Sequence, residues 1–202
     1  MRIEAITVCI DFSEWLEKCI SNKDKLDRWI IVTHLSDGKT IKFCKQHNLE
    51  CVLSNRVFEG NAYFAKGKAI NDALEVADKT NWLMSLDADI LLPNDFRSTL
   101  NEEITSQDTL YGSYRYDATG DKMQQDEFNG STIPYGFFQL WHSSVKTKYV
   151  EVSKKGIIDD YNFSRSFEGN TKMLSLNCKD TYGGAGYDHK SYLGLRNLGL
   201  VK

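Results

Sequence analysis

The feature that most constrains the fold of this 202-residue chain is the alternation of apolar runs with helical stretches over its first 90 residues. The apolar runs are short and rich in β-branched residues, which is typical of buried strands. Strands that alternate with helices favour an α/β fold with a right-handed, mostly parallel central sheet. The predicted strands of this part are Ile3–Ile10, Trp29–Thr33, Glu50–Ser54 and Trp82–Leu86.

Helices are predicted between these strands. Ser13 is expected to cap the first helix, because a Ser hydroxyl can accept a hydrogen bond from an open amide at a helix start. The third helix carries Ala69, Ile70, Ala73, Leu74 and Ala77 at helical spacing on one face. The predicted helices are Ser13–Ile20, Thr40–His47 and a stretch from Lys66 to about Ala77.

The chain beyond residue 90 is less regular. Its predicted strands are Thr109–Tyr116, Gly136–Trp141 and Met173–Asn177. A helix is predicted at Asp160–Phe167 and a polar loop at Asp117–Ser131.

Composition narrows the class of protein. The net charge of -3 gives no broad electrostatic reason to bind nucleic acid. Five cysteines without CxxC spacing indicate reduced, buried thiols and a reducing compartment. No signal peptide or transmembrane stretch is predicted, so we expect a cytoplasmic location.

The most informative motif is Asp87-Ala88-Asp89, which directly follows the apolar strand Trp82–Leu86. Carboxylates at the end of a buried strand are costly to desolvate unless a cation meets them, and their oxygens suit Mg²⁺ or Mn²⁺. The motif therefore predicts a metal site, with a solvated strand end as the alternative.

A second motif, Lys66-Gly67-Lys68, opens the third helix. Lysines at a helix start oppose the helix dipole, but a bound anion would reverse that effect. Gly67 would allow a phosphate to approach the open amides closely. Two solvated lysines are the alternative explanation.

Together, ITVCID at Ile6–Asp11, FAKGKAIN at Phe64–Asn71 and WLMSLDADILLP at Trp82–Pro93 resemble bacterial and phage GT-A glycosyltransferases related to family 2. The resemblance implies one GT-A-like domain over 1–202, with a nucleotide-sugar-binding half at 1–92 and an acceptor-side half at 93–202. It also implies a divalent metal, Mn²⁺ ahead of Mg²⁺, with Asp89 as the more direct ligand beside Asp87. The implied donor-binding residues are Thr33, Asp37, Lys66, Lys68, Asn71 and Asp87.

Asp159 and Asp160 open the helix predicted near Asp160–Phe167, in a segment that resembles the acidic helix start of the same family. By that resemblance, Asp160 is the base that deprotonates the acceptor hydroxyl, and Asp159 lies on the acceptor side. The alternative is that both are ordinary first-turn acids that complement the helix dipole.

Three further residues are predicted to complete the site. By the resemblance, His189 is the further metal ligand, with Asp180 as a rival. Trp141 and His142 are expected to line the acceptor side, because aromatic and polar edges can stack on sugar rings.

These observations predict a metal-dependent glycosyltransferase that moves a sugar from a nucleotide-sugar, a UDP-sugar first, to an acceptor hydroxyl by an inverting single displacement. Transfer with retention of the donor's anomeric configuration stays open as an alternative. A nucleotidyltransferase and a non-catalytic nucleotide- or glycan-binding module are the alternatives, and a haloacid-dehalogenase-like phosphatase would need its acidic pair after the first strand, where only Asp11 lies. The acceptor is open among glycans, lipid-linked glycans, proteins, small molecules and modified DNA bases.

Overall fold

The computed structural model of the chain describes most of its residues, and every structural statement below concerns that part. The described residues are 1–59, 65–78, 80–123, 127–128, 131–134, 136–151, 159–167 and 169–182. The five α-helices found in these ranges are α1 (Ser13–Lys18), α2 (Gly38–Gln46), α3 (Lys66–Leu74), α4 (Phe96–Glu103) and α5 (Asp159–Arg165).

Most of the strands of the described residues belong to one mixed sheet. The strands are β1 (Ile3–Val8), β2 (Arg28–Thr33), β3 (Glu50–Leu53), β4 (Trp82–Leu86), β5 (Ile90–Leu91), β6 (Leu110–Tyr116), β7 (Glu127–Phe128), β8 (Ser131–Thr132), β9 (Phe138–His142) and β10 (Thr171–Asp180). Eight of them form the sheet in the order β3-β2-β1-β4-β9-β6-β10-β5, and β7 pairs with β8.

The predicted mostly parallel α/β sheet is confirmed. The pairs β3-β2, β2-β1, β1-β4 and β6-β10 are parallel, whereas β9 is antiparallel to both β4 and β6. The short β5 is antiparallel to β10. The polar loop predicted at Asp117–Ser131 differs, because it contains β7 and leads into β8.

The sheet is covered on both faces, which explains why its central strands are largely apolar. In β4, Met84 and Leu86 pack in one core cluster, and Leu83 packs in the cluster on the other face. Successive side chains of a strand point to opposite faces, so a strand buried on both sides has no polar face to display.

The prediction that Ser13 caps α1 is wrong. The N-cap residue is Phe12, which makes no side-chain cap, and Ser13 is already the first helical residue. The backbone at Asp11 has a positive φ of 48°, and the amides of Trp15 and Leu16 bond to the Phe12 carbonyl. The tight turn after β1 therefore starts the helix one residue earlier than the hydroxyl pattern suggests.

Two further predictions concern the cysteines, expected to be reduced and buried, and transmembrane stretches, of which none was expected. All five cysteines are free, and four of them are buried. Among the described residues, no helix has the length and apolar character that crossing a membrane requires.

Candidate active site at the carboxyl edge of the sheet

One edge of the sheet gathers most of the polar residues that the sequence singles out. The parallel strands β1, β2 and β4 all end at this edge. Since β9 is antiparallel to β4 and to β6, the first residue of β9 and the last residues of β6 and β10 lie at the same edge. We call it the site edge. Ligands of open α/β sheets bind outside the carboxyl ends of the strands, so this is the place to expect a site.

Lys66 and Asp87 form an ion pair at the site edge, with Lys66 buried and Asp87 partly buried. The Lys66 Nζ lies 2.5 Å from Asp87 Oδ1 and also donates to the Gly136 carbonyl at 2.8 Å. The Lys66 side chain is only 7% exposed, and a buried ammonium is costly unless oxygen atoms surround it. Lys66 thus orients Asp87, and its predicted contact with a phosphate stays a prediction.

Asp159 caps α3 from a distant part of the chain. Its Oδ2 accepts a hydrogen bond from the Gly67 amide at 2.7 Å, whereas the helix's own N-cap, Ala65, contributes no side chain. A Cβ on Gly67 would lie 2.9 Å from that carboxylate oxygen and from the Val150 carbonyl, so only glycine allows this close approach. An internal carboxylate therefore occupies the open helix start where the sequence predicted a phosphate.

Burial raises the pKa of Asp159 from an ordinary value of 3.8 to about 6, against the Gly67 hydrogen bond, while the neighbouring Asp160 adds to the rise. Between these values the unfolded chain binds fewer protons than the folded one, so this group makes the free energy of unfolding fall as pH rises from about 4 to about 6. In urea titrations, we expect the free energy of unfolding of Asp159→Asn to decrease less between about pH 4 and about pH 6 than that of the wild type. The exposed Asp108→Asn is the control and is expected to leave this decrease unchanged; equal slopes in Asp159→Asn and the wild type would contradict the expectation.

Asp160 lies directly on the backbone of Gly136. A Cβ at Gly136 would be 1.8 Å from Asp160 Oδ2, so the carboxyl group fills the space that any other residue would need. The carbonyl of the same Gly136 binds Lys66. Burial raises the pKa of Asp160, and the Lys66 ammonium lowers it in part. A carboxyl group with a raised pKa beside a lysine–aspartate pair has the character of a general base.

A buried glutamine holds the backbone of Asp160 in place. The Gln139 amide nitrogen lies 2.9 Å from the Asp160 carbonyl, 3.1 Å from the Pro134 carbonyl and 2.8 Å from the Ser164 hydroxyl. Its carbonyl oxygen accepts a hydrogen bond from the Tyr149 hydroxyl. Sequence reasoning missed this residue, although a single glutamine inside the apolar run FFQLW was a signal.

The other acid of the motif, Asp89, lies in a second charged cluster at the site edge. Asp180 ends β10 opposite Ile90 and is fully buried, and Asp89 is 4% exposed. The backbone carbonyl of Asp89 accepts from Thr181 at 2.8 Å, which ties the two segments together. Arg115, at the end of β6, pairs with Asp180 and lies 4.0 Å from Asp89. Arg115 was not singled out by the sequence.

The chemistry of these side chains fits a divalent cation. No group of three or more potential ligands occurs among the residues that the structure describes. Magnesium-like ions, however, are commonly held by one or two carboxylates together with water and phosphate oxygens. Asp89 and Asp180 supply two buried carboxylates that already meet one cation, the Arg115 guanidinium. Carboxylate oxygens of this kind are suitable ligands for Mn²⁺ or Mg²⁺.

The predicted donor-binding residues Thr33 and Asp37 lie at the site edge and have structural partners. Asp37 Oδ2 accepts from the Thr33 hydroxyl at 2.9 Å and from the Asp11 amide at 2.7 Å, and its Oδ1 caps α2 at Thr40. This fixes the loops after β1 and β2 relative to each other. Their contact with a nucleobase stays a prediction.

Lys68 and Asn71 of α3 also make internal contacts. Lys68 pairs with Glu59 at 2.9 Å. Asn71 exchanges two hydrogen bonds with the backbone of Tyr149, at 2.9 and 3.0 Å, and so holds the segment after β9 against α3. Their predicted role toward the donor is untested.

Two of the three predicted acceptor-side residues, Trp141 and His142, are not brought to the site edge. Trp141 is 1% exposed and packs on Tyr149 and Phe163 in the core. His142 pairs with Trp82 at the opposite edge of the sheet from Asp160. Neither position favours an acceptor contact. His189, the predicted metal ligand, lies outside the described residues.

No known family model matches the sequence, and no curated protein matches it. Solved structures do match the fold. One is glucosyl-3-phosphoglycerate synthase from Mycobacterium tuberculosis in complex with Mn²⁺, UDP-glucose and phosphoglyceric acid, with a TM-score of 0.64, 13% identity and coverage of 100% of this chain and 81% of that chain. Another is mannosyl-3-phosphoglycerate synthase from Rubrobacter xylanophilus, with a TM-score of 0.61, 14% identity and coverage of 100% and 76%.

The chain has the GT-A fold. The GT-A neighbours are glycosyltransferases, and structures of the mycobacterial synthase contain UDP or UDP-glucose together with Mn²⁺. At identities of 12–14%, the likeness concerns the arrangement of the GT-A sheet and helices and not a particular substrate.

Proposed function

We propose that this chain is a glycosyltransferase that moves a sugar from a nucleotide-sugar to an acceptor hydroxyl. UDP-sugars are the first donors to test, and the reaction proposed is a single displacement with inversion. The observation that carries the proposal is the close contact between the Asp160 carboxyl and the backbone of Gly136. The carbonyl of Gly136 accepts a hydrogen bond from the Lys66 ammonium, which also pairs with Asp87.

The division of roles follows from the two clusters at the site edge. Asp160 is the proposed base, because its carboxyl has a raised pKa and its backbone carbonyl accepts a hydrogen bond from Gln139 of the sheet. Lys66 keeps Asp87 oriented beside it. Asp87, Asp89 and Asp180 are the proposed residues for a divalent cation, Mn²⁺ before Mg²⁺. When bound, that cation would neutralise the charge of the departing nucleoside diphosphate.

The GT-A neighbours support the donor class, because UDP or UDP-glucose is present in several of them. Their phosphoglycerate acceptors make phosphoglycerate one small-molecule acceptor to include in a screen beside glycans, lipid-linked glycans, proteins and modified DNA bases. The whole chain from 1 to 202 is proposed to act as one GT-A domain in this reaction.

The proposal is tested by thermal unfolding of the purified chain with UDP, GDP, ADP and CMP, each with Mn²⁺, with Mg²⁺ and with EDTA. A ligand at a hundred times its dissociation constant adds about 2.7 kcal/mol to the free energy of unfolding. We expect UDP to stabilise the wild type with Mn²⁺ and to have little effect in EDTA.

The Asp89→Ala variant is expected to lose the metal-dependent part of this stabilisation. Asp108→Ala is the matched control, since Asp108 is an exposed aspartate that precedes β6 at the opposite edge of the sheet. If no nucleotide shifts the melting temperature under any condition, the proposed donor site is wrong, and only the GT-A fold can be stated for this chain.

A further inference from the structure

Arg115 is the cation that the described structure places between the carboxylates of Asp89 and Asp180. It lies near the end of β6, beside Cys178 of the parallel strand β10. Its Nη2 contacts Asp180 Oδ2 at 2.5 Å and lies 4.0 Å from Asp89 Oδ2. One guanidinium nitrogen thus faces the two buried acids that are proposed to hold a divalent cation.

The charge of Arg115 is permanent in this setting. The guanidinium faces the carboxylates of Asp180 and Asp89. An arginine is protonated at every physiological pH, so Arg115 supplies one positive charge to the two acids without a metal. A metal ion that binds Asp89 and Asp180 therefore meets a positive charge that is already present.

The guanidinium is also incompletely satisfied. Among the described residues its buried Nε has no hydrogen-bond partner, and its Cζ lies 5.5 Å from the centre of the Phe137 ring. A buried donor without an acceptor is costly, and guanidinium groups bind phosphate oxygens through two parallel hydrogen bonds. Arg115 consequently keeps one donor that its contacts among the described residues do not use.

We propose that Arg115 competes with a divalent cation for Asp89 and Asp180, and that it exchanges these carboxylates for phosphate oxygens when a nucleoside diphosphate binds. The free protein then binds the metal weakly, and the metal binds well only together with the diphosphate. The competition of Arg115 with the metal for the two carboxylates concerns the protein alone. The exchange of these carboxylates for phosphate oxygens rests on the proposed function.

The test measures Mn²⁺ binding to the nucleotide-free protein by calorimetry, for the wild type, Arg115→Met and Arg97→Met. Arg97 is the matched control, because it also pairs with an aspartate, Asp27 at 2.6 Å, but bonds to the backbone of Met1 and Lys25, away from the site edge. We expect Arg115→Met to bind Mn²⁺ at least about tenfold more tightly than the wild type, a difference of about 1.4 kcal/mol. Arg97→Met is expected to match the wild type. Equal or weaker Mn²⁺ binding by Arg115→Met would overturn the competition.

Thermal unfolding gives a second readout that does not depend on nucleotide. Without Arg115, two buried carboxylates lose their cation, so Arg115→Met is expected to melt below the wild type in EDTA and to recover with Mn²⁺. Arg97→Met is not expected to recover. If Arg115→Met does not fold, Arg115→Lys retains one charge with fewer donors, and an intermediate Mn²⁺ affinity is expected for it.

Addition of UDP separates the two halves of the proposal. We expect UDP to tighten Mn²⁺ binding to the wild type more than to Arg115→Met. If UDP binds no variant, the proposed function fails, while the Mn²⁺ titrations still decide whether Arg115 competes. If UDP binds but tightens Mn²⁺ equally in both proteins, the exchange of carboxylate for phosphate is wrong.

Discussion

Asp160→Asn is expected to lower kcat for sugar transfer by about 10²–10⁴, the range that removal of a general base produces. Asparagine keeps the size of the side chain but cannot take the acceptor proton. Nucleotide binding, measured as the thermal shift with UDP and Mn²⁺, is expected to remain. Because burial raises the pKa of Asp160, wild-type kcat should rise with pH through a value above the ordinary aspartate range. The profile is measured with the donor and acceptor that a screen identifies.

Asp159→Asn is the matched control, because it changes the adjacent carboxyl and leaves an oxygen to accept from the Gly67 amide. We expect a change in kcat of less than about tenfold for this control. If both acids only complement the dipole of α5, the two variants will behave alike. A product that keeps the anomeric configuration of the donor, detected by nuclear magnetic resonance, would contradict the single displacement.

Gly136→Ala is expected to lower kcat by about 10², although the substitution adds only one methyl group. The new Cβ would lie 1.8 Å from Asp160 Oδ2 and 2.5 Å from its Cγ, so the Asp160 carboxyl must move. A displacement of about 1 Å at a reacting group can cost 10²-fold in rate. Steady-state kinetics with the same donor and acceptor as for Asp160→Asn measure the effect.

The control for this variant is Gly38→Ala, because a Cβ at Gly38 meets no atom within 4 Å. It adds the same methyl group at the start of α2 and is expected to leave kcat unchanged. Urea unfolding of both variants separates a displaced carboxyl from a general loss of stability, since overpacking costs about 1–3 kcal/mol. A folded Gly136→Ala protein with wild-type kcat would mean that kcat does not depend on the contact between the Asp160 carboxyl and the backbone of Gly136.

The sequence predicted the elements of the fold better than their pairing. The strand predicted at Thr109–Tyr116 is β6, which begins one residue later, because strand-like composition is a local property. The insertion of β9 between β4 and β6 rests on pairs such as Leu83 with Trp141, which are far apart in the sequence. Alternation of apolar and polar residues does not encode such partners.

The candidate site was predictable where carboxylates follow an apolar strand and was not predictable where a role depends on a distant partner. Asp87 and Asp89 stand out after β4, but Arg115 resembles any polar strand residue until its contact with Asp180 is seen. The adjacent acids Asp159 and Asp160 are the same residue type, and in the sequence only the family resemblance distinguishes them. In the structure, Asp159 caps α3 at Gly67 and Asp160 rests on Gly136, so the fold gives them different surroundings.

The bond from Gln139 to the Asp160 carbonyl bears on how new specificities could arise on this scaffold. Gln139 belongs to β9, which is paired along its length with β4, the strand that leads into Asp87. The spacing between the proposed base and the proposed donor site is thus set by neighbouring strands of the sheet and not by a loop. Libraries that replace surface loops to change the acceptor can therefore leave this spacing intact, and Gln139 is the position that such engineering should hold constant.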